Sequence, residues 1–225
     1  MSLTLYYSPG SMSSIPHAVL EEAGLSYQLQ RLEERTEAEK SIGELSLYPS
    51  ERITALDDDG FAIFETGAIL LHILSFPAAA HLIPAPASRD YSRFLRWLFY
   101  LEATLQPAMI EAFHPERWLV DNADIKAVRE KARKRIYAKI DLLEANVSEG
   151  TFLYAGFSAL DIYLTSMMRW SEQLGLSVKF WPRIEAIVST VRQRPAYLAM
   201  MEKQEISWPL TDSPEKKRLK DRIFW

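Results

Sequence analysis

Apolar positions change their period partway along the chain. Up to about residue 80, short alternating runs are interleaved with helical ones. Leu3–Tyr7 reads as a strand, Ile15–Ala23 as a helix with Pro16 in its first turn and Gly24 just past its end, and Tyr27–Leu32 as a second strand. A charged stretch, Glu33–Lys40, leads into a weak helical pattern that runs to Leu47. Ile53–Leu56 and Phe61–Phe64 read as strands joined by the acidic turn Asp57-Asp58-Asp59-Gly60, a hairpin signal, and Glu65-Thr66-Gly67 opens a helix over Ala68–Leu74. Strand, helix, strand, weak helix, hairpin and helix in that order predict a mixed sheet carrying helices.

Beyond Phe76 the period-two signal stops. Phe76–Ser88, with Pro77, Pro84 and Pro86, reads as a linker. Ser88 and Asp90 can cap a helix bearing Tyr91, Phe94, Leu95, Leu98, Leu101 and Leu105 at three- and four-residue spacing, and a second long helix is expected over about Ala123–Val147. Phe157-Ser158-Ala159-Leu160-Asp161-Ile162 has the spacing of a capping box, with Phe157 and Ile162 at the staple positions. Further helices are expected at Pro182–Arg192 and Ala196–Lys203. The expected organisation is an α/β domain over residues 1–80, an all-helical domain over 87–209 and a Lys/Arg-rich tail over 210–225.

Composition narrows the function classes. Of 225 residues 48% are hydrophobic, enough for a real core. Net charge is −4, from 26 basic and 30 acidic residues, too balanced for nucleic acid or an anionic membrane to be the main partner. The basic run Lys126–Arg135 contains Glu130 and reads as a solvated helix face. No apolar run approaches the roughly 18 residues that span a bilayer, and the N-terminus lacks a secretory pattern. A cytoplasmic protein is the expectation. His17, inside the first helix, reads as structural, and His72, His81 and His114 are too scattered to suggest a metal site.

Candidate chemistry concentrates at the first strand–helix junction, "LYYSPGSMSSIPHAVLEEAG", Leu5 to Gly24. Helix-terminal N–H groups there suit an anion such as a thiolate. The chain has no cysteine, which excludes disulfides, thiolate zinc sites and any thiol nucleophile of its own. Hydroxyl donors remain, Ser11 and Ser13, on either side of Met12. A serine at such a junction also simply caps or lines a turn, and the residues alone leave both roles open.

Three motifs in order resemble the cytosolic glutathione S-transferases over roughly residues 2–205. Tyr6–Gly24 nearly reproduces the opening "YYSPGSCSxxPH…LEE.G" of the bacterial beta class, "DDDGFAIFETGAIL" resembles its "DDDGxxLTESGAIL", and "GFSALDIYL" its "xFTxADIYL" capping motif. The class most resembled is therefore the beta class, though Met12 stands where that class carries cysteine. The resemblance implies a thioredoxin-like N-terminal domain followed by a helical bundle, usually a homodimer. The implied reaction is attack of glutathione sulfur on small hydrophobic electrophiles, as in detoxification, with glutathione as co-substrate and no metal.

By the same resemblance Ser11 falls where serine-type classes place the hydroxyl that stabilises the thiolate. Glu65 and Thr66 match the pair holding the γ-glutamyl end, although Thr66 is equally suited to capping the helix it opens. Ile53 falls where the backbone pairs with the cysteinyl unit. Thr54, however, replaces a cis-proline. A cis bond costs roughly 2.5–4 kcal/mol before threonine against about 0.5–1 kcal/mol before proline, so a trans Ile53–Thr54 bond is expected. Gln106 and Pro107 replace a His-Lys pair, and Arg35–Lys40, where a lysine often holds the glycyl carboxylate, is dominated by glutamates. Met12, Gln106, Met109 and Phe113 are candidates to line an electrophile pocket. Two readings follow: a transferase with weak or altered use of glutathione, or a non-catalytic binding or interaction protein that keeps the fold.

Overall fold

The computed structural model describes residues 2–32, 54–118, 124–153 and 156–208. They form two compact units. One contains the described residues up to Leu82 together with those from Arg194 onward, and the other spans Ile83–Gln193. Glu33–Ile53 and the tail beyond Trp208 fall outside the described residues, and with them the charged stretch and the weak helix that follows it.

The first unit is built on four strands, β1 Leu3–Tyr7, β2 Tyr27–Arg31, β3 Ala55–Asp58 and β4 Phe61–Phe64, in the order β2-β1-β3-β4. β1 runs parallel to β2 and antiparallel to β3, which pairs antiparallel with β4. Along β1, Leu3, Leu5 and Tyr7 are buried while Thr4 and Tyr6 are partly exposed, the period-two pattern of a sheet with distinct faces. The hairpin turn is shorter than expected. Asp57 and Asp58 lie in β3 opposite Ala62 and Phe61, which leaves Asp59 (φ 51°) and Gly60 (φ 93°) as a two-residue turn. Both φ values are positive, as a type I′ hairpin turn requires.

Helix α1, Ser14–Ala23, packs against α2, Thr66–Leu74, and against the last of the described helices. Ile15, Ala18, Val19 and Leu20 are fully buried, as are Leu5, Leu56, Ile69 and Leu70. Each such branched side chain contributes about 1.5–3 kcal/mol of transfer free energy. Gly24 ends α1 at φ 64°, its N–H bonded back into the last turn. The Pro/Ala-rich segment after α2 is not an open linker. Pro77–Leu82 winds into a 3-10 turn that buries Ala79 and Leu82, with Pro77 at its first position, where the missing N–H costs no hydrogen bond.

Helices alone make up the regular structure of the second unit's described residues, apart from one isolated bridge between Leu153 and Gly156. Helix α3, Arg89–Tyr100, is capped by Ser88, whose hydroxyl accepts from the Tyr91 N–H. The expected run through Leu105 is not one regular helix. Residues Leu101–Leu105 widen into a π-helical turn, and α4, Gln106–Phe113, follows with Pro107 in its first turn. The π turn accommodates a ring that would clash inside an α-helix. Then come α5, Ile125–Glu144, α6, Ala159–Gln173, and α7, Pro182–Val191. The capping box is present at the start of α6. Asp161 accepts from the Phe152 N–H (2.7 Å), the Ser158 N–H (2.8 Å) and the Ser158 hydroxyl (3.0 Å). Burial nevertheless pushes this carboxyl up to about 6. The last described helix, α8, Pro195–Lys203, groups with the sheet and packs on α1.

Candidate functional site

Register in the sheet collects the N-terminal candidates. Tyr6 stands opposite Ala55, and Ala55 opposite Phe64. The end of β1, the start of β3 and the end of β4 therefore lie at one end of the sheet. The Ser8–Ser13 turn, Thr54 and the Glu65–Thr66 start of α2 all emerge there. Thr54 is buried; Ile53 and its bond to Thr54 lie outside the described residues, as does Arg35–Lys40.

The turn after β1 is closed by the Ser11 N–H on the Ser8 carbonyl (3.2 Å), with Pro9 second and Gly10 third at φ 74°. Proline followed by a left-handed residue is the arrangement of a type II turn, and glycine adopts it without Cβ strain. Past the turn, Ser11 Oγ lies 2.7 Å from Ser13 Oγ and accepts the Ser13 N–H at 3.2 Å. Ser13 is fully buried, with its hydroxyl 3.2 Å from the Ser8 carbonyl, while Ser11 is half-buried. Each hydroxyl has one proton. When Ser13 gives its proton to Ser11, Ser11 is doubly supplied with donors and its own proton is released to point outward. Met12, between them, is buried and can supply only a thioether.

At the start of α2, Glu65 takes φ 65° and ψ 127°, a strained conformation for a residue with a Cβ. The expected cap at Thr66 is not formed. Thr66 is the first helical residue and is buried, whereas Glu65 stands at the cap position, its carbonyl accepting the Ile69 N–H (2.9 Å) while its side chain makes no capping bond. The exposed Glu65 carboxylate and the first N–H groups of α2 thus sit side by side, a pairing suited to a ligand with both an ammonium and a carboxylate.

Three residues of the expected electrophile pocket share one helix of the second unit. Gln106, Met109 and Phe113 follow one another at spacings of three and four on α4, the spacing of one helical face. Gln106 Oε1 accepts from the Tyr163 hydroxyl (2.9 Å), and Phe113 meets Trp170 edge-on with centroids 5.8 Å apart. Met109 is fully buried, so only Gln106 and Phe113 of the three retain surface. Met12 belongs to the first unit.

Sequence reasoning missed a polar chain in the first unit. His17 is fully buried; its Nε2 lies 2.7 Å from the Tyr27 hydroxyl and its Nδ1 lies 3.0 Å from Gln204 Nε2. Tyr27 donates to Glu21, and Lys203 donates to both Glu21 (2.5 Å) and Tyr27 (3.2 Å). Burial holds His17 down at about 4, against the pull of the Glu21 carboxylate and with a further push from Lys203. Burial and the same carboxylate push the Tyr27 phenol far up. Glu21 itself stays low, because the Lys203 and Tyr27 donors outweigh its burial. No local pattern announces Gln204, which lies 187 positions from His17.

Among the described residues, no group of three or more His, Asp or Glu side chains is placed to hold a metal. His72 pairs with Asp58 (3.0 Å) and His114 with Glu116 (3.0 Å). None of the described helices is long and apolar enough to cross a membrane.

A four-stranded mixed sheet carrying α1 and α2, followed by a helical unit, is the fold of the glutathione S-transferases. A family model described as "Glutathione S-transferase, N-terminal domain" matches residues 1–75. A sphingomonad glutathione S-transferase solved in complex with glutathione is 30% identical, with 92% of this chain and 100% of that chain covered and a TM-score of 0.73. A glutathione transferase from Methylococcus capsulatus is 28% identical over 90% of this chain and 98% of that one, with a TM-score of 0.74. A glutathione S-transferase of Xanthomonas campestris is 25% identical over 185 residues, 82% of this chain and 90% of the relative. The chain belongs to the glutathione S-transferase family.

Proposed function

We propose that this chain binds glutathione at the sheet end where Ser11, Thr54, Glu65 and Thr66 emerge, and conjugates the glutathione thiolate to small hydrophobic electrophiles. The observation that carries the reading is the pair of hydroxyls 2.7 Å apart at Ser11 and Ser13, with Ser11 half-buried and Ser13 behind it. A free thiol has a pKa of about 8.5 and is scarcely ionised at neutral pH. A polarised hydroxyl favours the anion by donating to it. With an aryl halide, the thiolate forms a carbon–sulfur bond, chloride leaves with the carbon–halogen electron pair, and the thiol proton passes to solvent. Glu65 is assigned the ammonium of the γ-glutamyl unit, Thr66 and the α2 N–H groups its carboxylate, and Ile53 the backbone of the cysteinyl unit. Met12, Gln106, Met109 and Phe113 are assigned to the electrophile. A cytoplasmic homodimer completes this reading.

A second reading, a non-catalytic binding protein, draws support from Gln106. Its carbonyl is engaged by Tyr163, and the side chain carries no charge where the resemblance implies a cation. Titration calorimetry with glutathione, followed by an aryl halide assay, separates the two. Heat of binding and turnover support the transferase; absence of binding at millimolar glutathione overturns it.

A further inference from the structure

The buried side chain of Gln204, just past the end of α8, reaches the turn that presents Ser11. Gln204 is fully buried, its Oε1 accepts the Gly10 N–H at 3.4 Å, and its Nε2 faces His17 Nδ1 at 3.0 Å. The central peptide of a type II turn takes no part in the turn's own hydrogen bond. Its N–H and carbonyl exchange places when that peptide rotates, and a turn free to rotate there holds the residue that follows less tightly. Here the central peptide is Pro9–Gly10, and the residue that follows is Ser11.

An amide holds such a turn only if it cannot itself turn over. Gln204 presents oxygen to Gly10 because His17 Nδ1 demands a donor, and Nδ1 demands a donor only in the tautomer protonated at Nε2. That tautomer is selected by the Tyr27 oxygen, 2.7 Å from Nε2, which has spent its own proton on Glu21 and so can only accept. Lys203 fastens the far end by donating to Glu21 at 2.5 Å. Every donor along this chain meets an acceptor: Gly10 to Gln204, Gln204 to His17, His17 to Tyr27, Tyr27 to Glu21.

The geometry points to Gln204 as a positioning residue for the transferase site, holding the Pro9–Gly10 peptide so that Ser11 faces the sulfur, with His17 and Tyr27 fixing which way its amide faces. This inference rests on the reading of Ser11 as the thiolate donor. Misplacement of such a donor by about 1 Å is enough to lower turnover strongly.

The test uses the full-length protein and the isosteric Gln204→Met, with Gln204→Glu as the variant that returns an acceptor to Gly10. Amide hydrogen exchange at Gly10, measured by NMR without ligand, should be at least about tenfold faster in Gln204→Met, while Leu5 and Ile69 keep wild-type protection. Gln204→Glu should restore much of the protection. With glutathione bound, the thiol pKa, read from thiolate absorbance against pH, should rise by about one unit in Gln204→Met while KM for glutathione changes less than threefold. Unchanged Gly10 exchange, or faster exchange with an unmoved thiol pKa, overturns the inference. If methionine at 204 prevents folding, Tyr27→Phe decides. Loss of the oxygen that selects the His17 tautomer should speed Gly10 exchange about threefold, and no change overturns the proposal. A wild type that binds no glutathione refutes the transferase reading by itself, and Gly10 exchange still shows whether Gln204 holds the turn.

Discussion

Ser13 Oγ stands 2.7 Å behind Ser11 Oγ, with the Ser8 carbonyl 3.2 Å away as its alternative acceptor. The buried hydroxyl can therefore choose between satisfying the backbone and polarising its neighbour. An anion in front of Ser11 favours the second arrangement, because it draws the Ser11 proton outward and leaves the Ser11 oxygen in need of a donor.

Ser11→Ala should lower the rate of aryl halide conjugation at saturating glutathione by about 10- to 100-fold, the equivalent of a hydrogen bond to a charged group worth roughly 1.5–3 kcal/mol. Ser13→Ala should cost only several-fold, since it removes a supporting donor. Steady-state rates for the two variants side by side check this, and equal losses would place the thiolate contact elsewhere.

Stability should fall on acidification through His17. The unfolded chain takes up this proton near 6.5 and the native one only near 4, because the ring is buried. The contribution is whole above pH 6.5 and disappears progressively as pH falls to 4. A shift of this size corresponds to about 3 kcal/mol. In His17→Gln that share is missing, so exchange-derived stabilities of the sheet for wild type and variant should draw together by about that amount. Parallel curves would show that the ring is not held neutral.

Asp161→Asn turns an NH2 group towards either the Phe152 N–H or the Ser158 N–H, both of which now donate to carboxylate oxygens. Leaving a buried donor unmatched costs about 1–3 kcal/mol, and replacing acceptor by donor sits at the upper end. The thermal midpoint should drop by about 5–10 °C. Calorimetric scans of the two proteins at neutral pH measure it.

Light scattering at micromolar concentration should give twice the mass of the chain, since the family pairs its small domain against the partner's helical domain. A monomer mass refutes the homodimer.

What the amino-acid sequence determined by itself is whatever physics completes within a few residues. Pro16 and Gly24 bracket α1, Asp59-Gly60 turns the hairpin, and Ser158 with Asp161 starts α6, each because its hydrogen bonds or φ requirements close over four positions or fewer. The Ser8–Ser11 turn was legible for the same reason. The break at Leu101–Leu105 was not, because the apolar spacing runs unbroken through it and only Pro107 beyond signals the change. Nor was the burial of Ala79 and Leu82, in a segment whose prolines read as a linker. Tertiary structure alone decided that α8 packs on α1, and so brought Gln204 against His17 and Gly10. A side-chain amide carries no local sign of its partner; its meaning is set by whichever donors and acceptors the folded chain leaves within 3–4 Å of it.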